Sequence, residues 1–367
     1  MPVSPLPKYE QVKQALIKEI RSGRWESGNP FPSESQLLQK FDVSRPTLIR
    51  SLQDLVREGY LYRKQGQGTF IADEKPEQKE AATLIPVFVS AHVAKLTGDK
   101  QLVELHILEG IQAGLAEAGA NPQDVVVRHA TPGRLDGATR AFIDDLTIGT
   151  ALVIEPSYNR PLWDHLGSKG WNAWSLNEAV PAGNCVYVDQ TEAGYIATKH
   201  LIDAGRQRIA LLNGPLDQFW GFGARLDGYL RALDEAGLSY DERLVRQADK
   251  PIDSEAGRAM MADLLKLDQR PDAVVGVSDA KAMGAIAAAQ EAGLTIPDDL
   301  MFTSIDNTLA ERSDVPLSAV SMPFHEVGRR AAIHAVKADA DRKSQESSVG
   351  DCEIHTHICL KPSLVKR

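Results

Sequence analysis

The side chains of this 367-residue sequence that are best suited to chemistry fall into two groups. The first lies near the start: Ser33-Glu34-Ser35, then Ser44-Arg45 with Thr47, Arg50 and Gln53, then Lys64-Gln65-Gly66. Arginine can bond guanine bidentately and glutamine can bond adenine, and either can simply hold a phosphate. The second group is Asp189, Asp217, Phe219, Trp220, Arg225, Lys250, Ser278, Asp279 and Asp306. Charged groups make the stronger hydrogen bonds to hydroxyls, and aromatic faces cover the apolar side of a sugar ring, so this set suits a polyhydroxylated ligand. Plainer readings stand beside it. An aspartate after a strand also caps the next helix, Phe219 and Trp220 also suit a core, and Lys250 can point to solvent as readily as towards an acidic sugar.

The elements that must position the first group can be read from residues 1–73. Tyr9 to Arg21 carries Val12, Leu16, Ile17 and Ile20 on one helical stripe and ends at Ser22-Gly23. Ser33, with Gln36 three residues on, has the form of a capping box for a second helix. Ser44 can cap a third running to about Glu58, with Pro46 in its first turn and Gly59 where a C-terminal cap belongs. With Leu48, Leu52 and Leu55 inward, Ile49, Arg50, Gln53 and Arg57 face outward. Two helices joined by a tight turn, the second with basic and amide groups exposed, have the geometry that enters a major groove. Residues 60–64 and 69–71 read as a hairpin with a glycine-rich tip.

The second group belongs to residues 83–367, beyond a charged linker at 74–82. Candidate strands (84–89, 125–128, 151–155, 185–188, 208–213, 273–277, 301–305) alternate with candidate helices (102–118, 191–204, 223–236, 254–267, 280–292). That rhythm implies an open α/β sheet, and the length suits two lobes. Ligands of such sheets bind outside the carboxyl ends of the strands, where Asp189, Ser278, Asp279 and Asp306 fall.

Charge is divided along the chain: residues 1–73 carry a net +3 and the remainder −12, as a nucleic-acid-binding head on a sensing body would. No apolar run is long enough for a membrane span, and the N-terminus lacks a secretion signal. Three cysteines without a Cys-x-x-Cys motif point to a reducing cytoplasm and no structural metal. No Gly-x-Ser-x-Gly elbow, Walker loop or His-Glu-x-x-His is present. Gly221-Phe222-Gly223 opens a dinucleotide fingerprint whose third glycine is replaced by Leu226. His355 and His357 look like one face of a strand and lack further ligands. A cofactor-free, non-enzymatic protein is the expectation.

Four motifs in order, Pro32-Ser33-Glu34-Ser35, Phe41 to Thr47, Glu58-Gly59-Tyr60-Leu61 and Gly66 to Phe70, resemble the GntR-type winged helix-turn-helix over residues 7–72. The resemblance implies DNA contacts at Ser33 to Ser35, Arg45, Thr47 and the wing around Gln65-Gly66. The family usually has a second arginine four residues after the first; here that position is Ile49, and Arg50 follows it. Val188-Asp189 with Gly194, His200 to Ala210, Gly214-Pro215, Arg225 to Tyr229, Arg270 to Val274, Ile296 to Asp299 and Ser304 to Asn307 resemble the effector domain of LacI/GalR repressors, which is itself similar to periplasmic sugar-binding proteins. That resemblance covers about 184–335 and implies effector contacts at Arg225 and Asp306. Relatives typically have Asn-Asp where Ser278-Asp279 stands.

A GntR-type head on a LacI-type body is the organisation of the arabinose-repressor type of regulator. It implies a homodimer on a palindromic double-stranded DNA operator, released by a sugar or sugar-derived effector. A sugar-binding protein without a regulatory role, and a regulator using a corepressor such as a purine-like metabolite, are the alternatives.

Overall fold

The computed structural model describes residues 8–21, 25, 29–57, 59–64, 68–72, 84–90, 99–146, 148–249, 253–344 and 355–367. Gln65, Gly66, Lys250 and the 74–82 linker lie outside the described residues. The chain divides into two compact units, Met1–Thr83 and Leu84–Arg367.

The first unit holds α1 (Lys8–Arg21), α2 (Glu34–Phe41), α3 (Arg45–Arg57) and the antiparallel pair β1 (Leu61–Lys64) and β2 (Gly68–Ile71). The expected stripes close its core: Val12, Leu16, Ile17 and Ile20 of α1 meet Leu37, Leu48, Leu52 and Leu55. Phe31 adds an edge to the hairpin, its N–H donating to the Thr69 carbonyl at 2.7 Å. Gly59, at φ +77°, turns the chain out of α3 in a conformation that side chains resist.

The second unit contains two six-stranded sheets. The first has the order β13-β7-β6-β5-β3-β4 and is parallel throughout. Its strands are β3 (Ile85–Ser90), β4 (Val125–Ala130), β5 (Thr150–Ile154), β6 (Asn172–Leu176), β7 (Asn184–Val188) and β13 (His357–Leu360). The second has the order β14-β12-β11-β10-β8-β9 and is parallel except for β14. It comprises β8 (Ile209–Asn213), β9 (Val245–Gln247), β10 (Ala273–Gly276), β11 (Met301–Asp306), β12 (Ser318–Ser321) and β14 (Ser363–Val365). Helices α4 (Asp99–Glu117), α5 (Gly137–Asp145), α6 (Arg160–Ser168) and α11 (Phe324–Ser344) cover the first sheet. Helices α7 (Gln190–Asp203), α8 (Trp220–Glu235), α9 (Ser254–Leu264) and α10 (Asp279–Glu291) cover the second. The chain passes between sheets three times: β7 to α7, β12 to α11, and β13 to β14.

This is the expected two-lobed α/β body. Sequence periodicity did not resolve β6, β12, β14, α5, α6 or α11. The strands among them are three to five residues long, too short for a period of two to register. Neighbouring helices approach closely through glycines. A Cβ on Gly194 of α7 would lie 2.1 Å from the Arg225 carbonyl oxygen of α8, and one on Gly228 of α8 would lie 2.0 Å from that of Thr191.

Candidate functional site

On the head, Ser33 forms the expected capping box: its N–H donates to Gln36 Oε1 at 2.9 Å, and its Oγ accepts from the Gln36 N–H. The two donors of the box are thereby satisfied, which holds the first turn of α2. Ser33 and Ser35 remain exposed. Ser44 Oγ lies 2.7 Å from Thr47 Oγ1, pairing two predicted contact residues at the tip of α3. Arg45 reaches back to Glu34, with Nη2 3.3 Å from Oε2, and its side chain stays 72% exposed. So exposed a pair contributes little to stability, and the guanidinium remains available to an incoming acceptor. Gln53 and Lys64 are also exposed, and Lys64 Nζ lies 5.0 Å from the Phe70 ring centre.

Arg50 behaves differently from the other predicted contacts. Its guanidinium centre sits 3.8 Å from the ring centre of Tyr9, stacked along the groove between α1 and α3. Tyr9 is itself tied to α3, because Ser51 Oγ donates to its carbonyl at 2.7 Å. Arg50 therefore does not occupy the position one turn beyond Arg45, which belongs to Ile49.

In the body, the carboxyl ends of both sheets converge on a cavity of about 30 Å3. The second sheet and its helices bring Phe219, Phe222, Arg225, Ser278 and Asp306 to it. Arg225 is buried at the centre of this wall. It donates through Nε to Gln190 Oε1 at 2.8 Å, through Nη1 to the Val277 carbonyl, and through Nη2 to Asp306 Oδ1 at 3.1 Å. One guanidinium thus joins α7, α8 and the ends of β10 and β11. Asp306 and Asn307 hold φ of 103° and 54°, sparsely populated values for side-chain-bearing residues and common where function constrains the backbone.

The first sheet supplies Glu155, Tyr158 and Asn177, with Val103 of α4 and Phe324 of α11 completing the wall. Glu155 and Asn177 both adopt left-handed φ, 50° and 62°, and Asn177 Nδ2 donates to Glu155 Oε1 at 2.8 Å. Tyr158 stacks on Phe219 across the cleft, with ring centres 6.2 Å apart and planes 7° from parallel. Beneath them, burial pushes Glu178 up to about 7, with the nearby Glu155 charge adding to the effect, while its Oε2 accepts from the Ser157 N–H at 2.9 Å. Burial and the Glu155 charge likewise push the Tyr158 hydroxyl well above its ordinary value. Among the described residues, buried polar atoms near this wall with no hydrogen-bond partner include Asn177 Oδ1, Gln190 Nε2, Asn307 Oδ1, Trp220 Nε1 and Ser157 Oγ. Such atoms are costly to bury unmatched, and hydroxyls, which both donate and accept, would satisfy them.

Not every predicted effector residue reaches this cavity. Asp279 turns into the body of its lobe, where it accepts from Ser304 Oγ and from the N–H groups of Thr308, Leu309 and Ala310 at 2.7–3.1 Å. It organises the loop behind Asp306. Asp189 caps α7 through the Glu192 N–H at 2.9 Å and pairs with Lys361 at 2.7 Å. Asp217 is exposed on the loop after β8. Trp220 opens α8 and packs edge-on against Tyr187 and Phe219. Ser278 lines the cavity while also capping α10. Glu155, Tyr158 and Asn177 were not anticipated; the apolar run before Glu155 was the one available signal, since β6 escaped notice. Among the described residues no cluster of histidine, cysteine and carboxylate side chains could hold a metal, and no helix is long and apolar enough to cross a membrane.

Residues 8–71 match the bacterial regulatory proteins of the gntR family, and residues 198–354 match the periplasmic binding protein-like domain. The chain is a gntR-type DNA-binding head joined to a periplasmic-binding-protein-like body. This gntR-headed chain is 27% identical to the arabinose metabolism transcriptional repressor of Geobacillus stearothermophilus, over 99% of its own length and 97% of that protein's. It is 34% identical to the HTH-type transcriptional repressor PurR of Proteus mirabilis over 47% of this chain and 49% of that one. Its fold is shared with a transcriptional regulator CelR–cellobiose complex, at a TM-score of 0.65 and 22% identity over 99% of this chain and 98% of that one. These relatives are transcriptional repressors and regulators, as the sequence resemblance implied.

Proposed function

We propose that the chain is a sequence-specific transcriptional regulator, a repressor of carbohydrate-metabolism genes that leaves its operator when a sugar or sugar-derived effector enters the interlobe cleft. The carrying observation is the meeting of Arg225 and Asp306 with Glu155 and Asn177 beside the stacked Tyr158 and Phe219. Polar groups that can bond hydroxyls stand next to flat apolar faces, as a sugar ring requires. The full-length likeness to an arabinose repressor supports the same reading.

A cavity of about 30 Å3 holds a water and not a monosaccharide, so the lobes must part for the ligand and close over it. In a cytoplasmic homodimer on a palindromic operator, such a motion would alter the spacing of the two heads. By linkage, an effector that weakens DNA binding is itself bound more weakly by the DNA complex, by the same factor.

The test is a thermal-shift screen of the whole protein against aldoses, ketoses, sugar acids, polyols and nucleosides, followed by DNA release with the hit. A sugar that raises the melting temperature and releases DNA supports the reading. A nucleoside or purine that instead strengthens DNA binding replaces it with corepression.

A further inference from the structure

We propose that Ile49 is a base-reading residue, packing on the C5-methyl group of a thymine in each half-site; the inference rests on the DNA-binding reading above. On a helix of ~3.6 residues per turn, Arg45, Ile49 and Gln53 advance by only about 40° per step and so form one outward row. Leu48, Leu52 and Leu55, centred about 90° round the helix from Ile49, complete the head's core without it. Ile49 is half-buried beside Pro46, an apolar ledge between the exposed Arg45 and Gln53, at the edge of a groove whose other walls are Tyr9 and the charged Glu10, Lys13, Arg50 and Asp54.

The neighbouring cation does not cover this ledge. Arg50 is stacked on Tyr9, and the Ser51 hydroxyl holds the Tyr9 backbone against α3, so the stack is anchored on both helices. What the row presents is a guanidinium, then a branched hydrocarbon, then an amide. In the major groove, thymine alone among the bases offers a methyl group. Guanine or adenine under Ile49 would bury acceptors, and cytosine an amino donor, that a hydrocarbon cannot satisfy. The middle member of the row therefore selects thymine.

Half-sites are selected from random duplex DNA with the full chain, and each thymine of the selected site is then replaced singly by uracil, which lacks only the methyl. At matched salt, uracil at one position per half-site lowers affinity by about fourfold, the value of one buried methyl group. The Ile49→Ala variant loses that sensitivity, and Ile49→Arg shifts the selected base at that position to guanine. Unchanged affinity after uracil replacement at every thymine overturns the inference, as does an Ile49→Ala protein that still distinguishes thymine from uracil. A chain that enriches no sequence fails the DNA-binding reading itself, and this inference with it.

Discussion

Arg225 and Asp306 form an ion pair, Nη2 to Oδ1 at 3.1 Å, in which both side chains are 5% exposed and one partner holds a left-handed backbone. A pair so enclosed adds little net stability over an apolar one, yet removing either member strands the other charge. It lies at the cleft wall, and further bonds to Gln190 and Val277 hold the guanidinium in one place; on the proposed function, that is where an effector would meet it.

Asp306→Ala should abolish the response to effector while leaving operator affinity within twofold of the parent. The stranded guanidinium should also lower the stability of the body by about 3–5 kcal/mol. Effector titration by calorimetry, DNA binding by anisotropy and thermal denaturation check the three parts.

Arg45→Ala should do the reverse. Losing a base or phosphate contact should weaken specific binding by about 1–3 kcal/mol at matched salt, with effector affinity unchanged. Since the Arg45–Glu34 pair is exposed, the head's melting temperature should barely move. Unchanged operator affinity would sink the docking geometry assigned to α3.

Glu178 should give the body a pH dependence. Burial raises its folded value from the ordinary 4.5 to about 7, so between those values the folded state holds a proton that the unfolded state has lost. Stability from this group is full below about 4.5, falls as pH rises towards 7, and is flat above. Glu178→Gln should flatten that slope and raise the body's melting temperature at pH 8 relative to the parent. Denaturation profiles of both proteins from pH 5 to pH 8 test the sign.

Gly194→Ala should be far more damaging than alanine in a helix usually is. The new methyl would meet the Arg225 carbonyl oxygen at 2.1 Å, forcing α7 and α8 apart and displacing the Arg225 side chain. Overpacking of this kind costs about 1–3 kcal/mol, and effector affinity should fall with stability. Gly223→Ala, on α8 with open space around it, is the control and should leave both unchanged.

The parts of the site on the second sheet were legible because short strand-like runs ended directly in polar residues. Ser278 and Asp306 were found in this way, and Arg225 through the likeness of its segment to LacI-type domains. The same rule could not separate Asp306, which lines the cavity, from Asp279, which bonds three backbone N–H groups; both simply follow a strand. Asn177 stayed hidden because the short strand before it, Asn172–Leu176, carries a tryptophan and polar residues in no clear alternation. Its left-handed turn suits an asparagine, but a lone asparagine does not announce one, and the left-handed Glu155 leaves no trace in residue type. In the head, the capping box and leucine stripe were readable from spacing alone. The stacking of Arg50 on Tyr9 was not, since it joins residues forty-one positions apart on separate helices.

The pairing of β13 with β7 and of β14 with β12 sets an order of completion during synthesis. The head's core is assembled from residues 12–71, whereas both sheets of the body wait for strands drawn from residues 357–365. A chain stopped by a late nonsense codon would carry every residue of the head while lacking one strand from each lobe of the body. On the proposed function, such a product occupies operators without hearing the effector, so for this topology the loss of a few terminal residues acts less like absence than like a stuck switch.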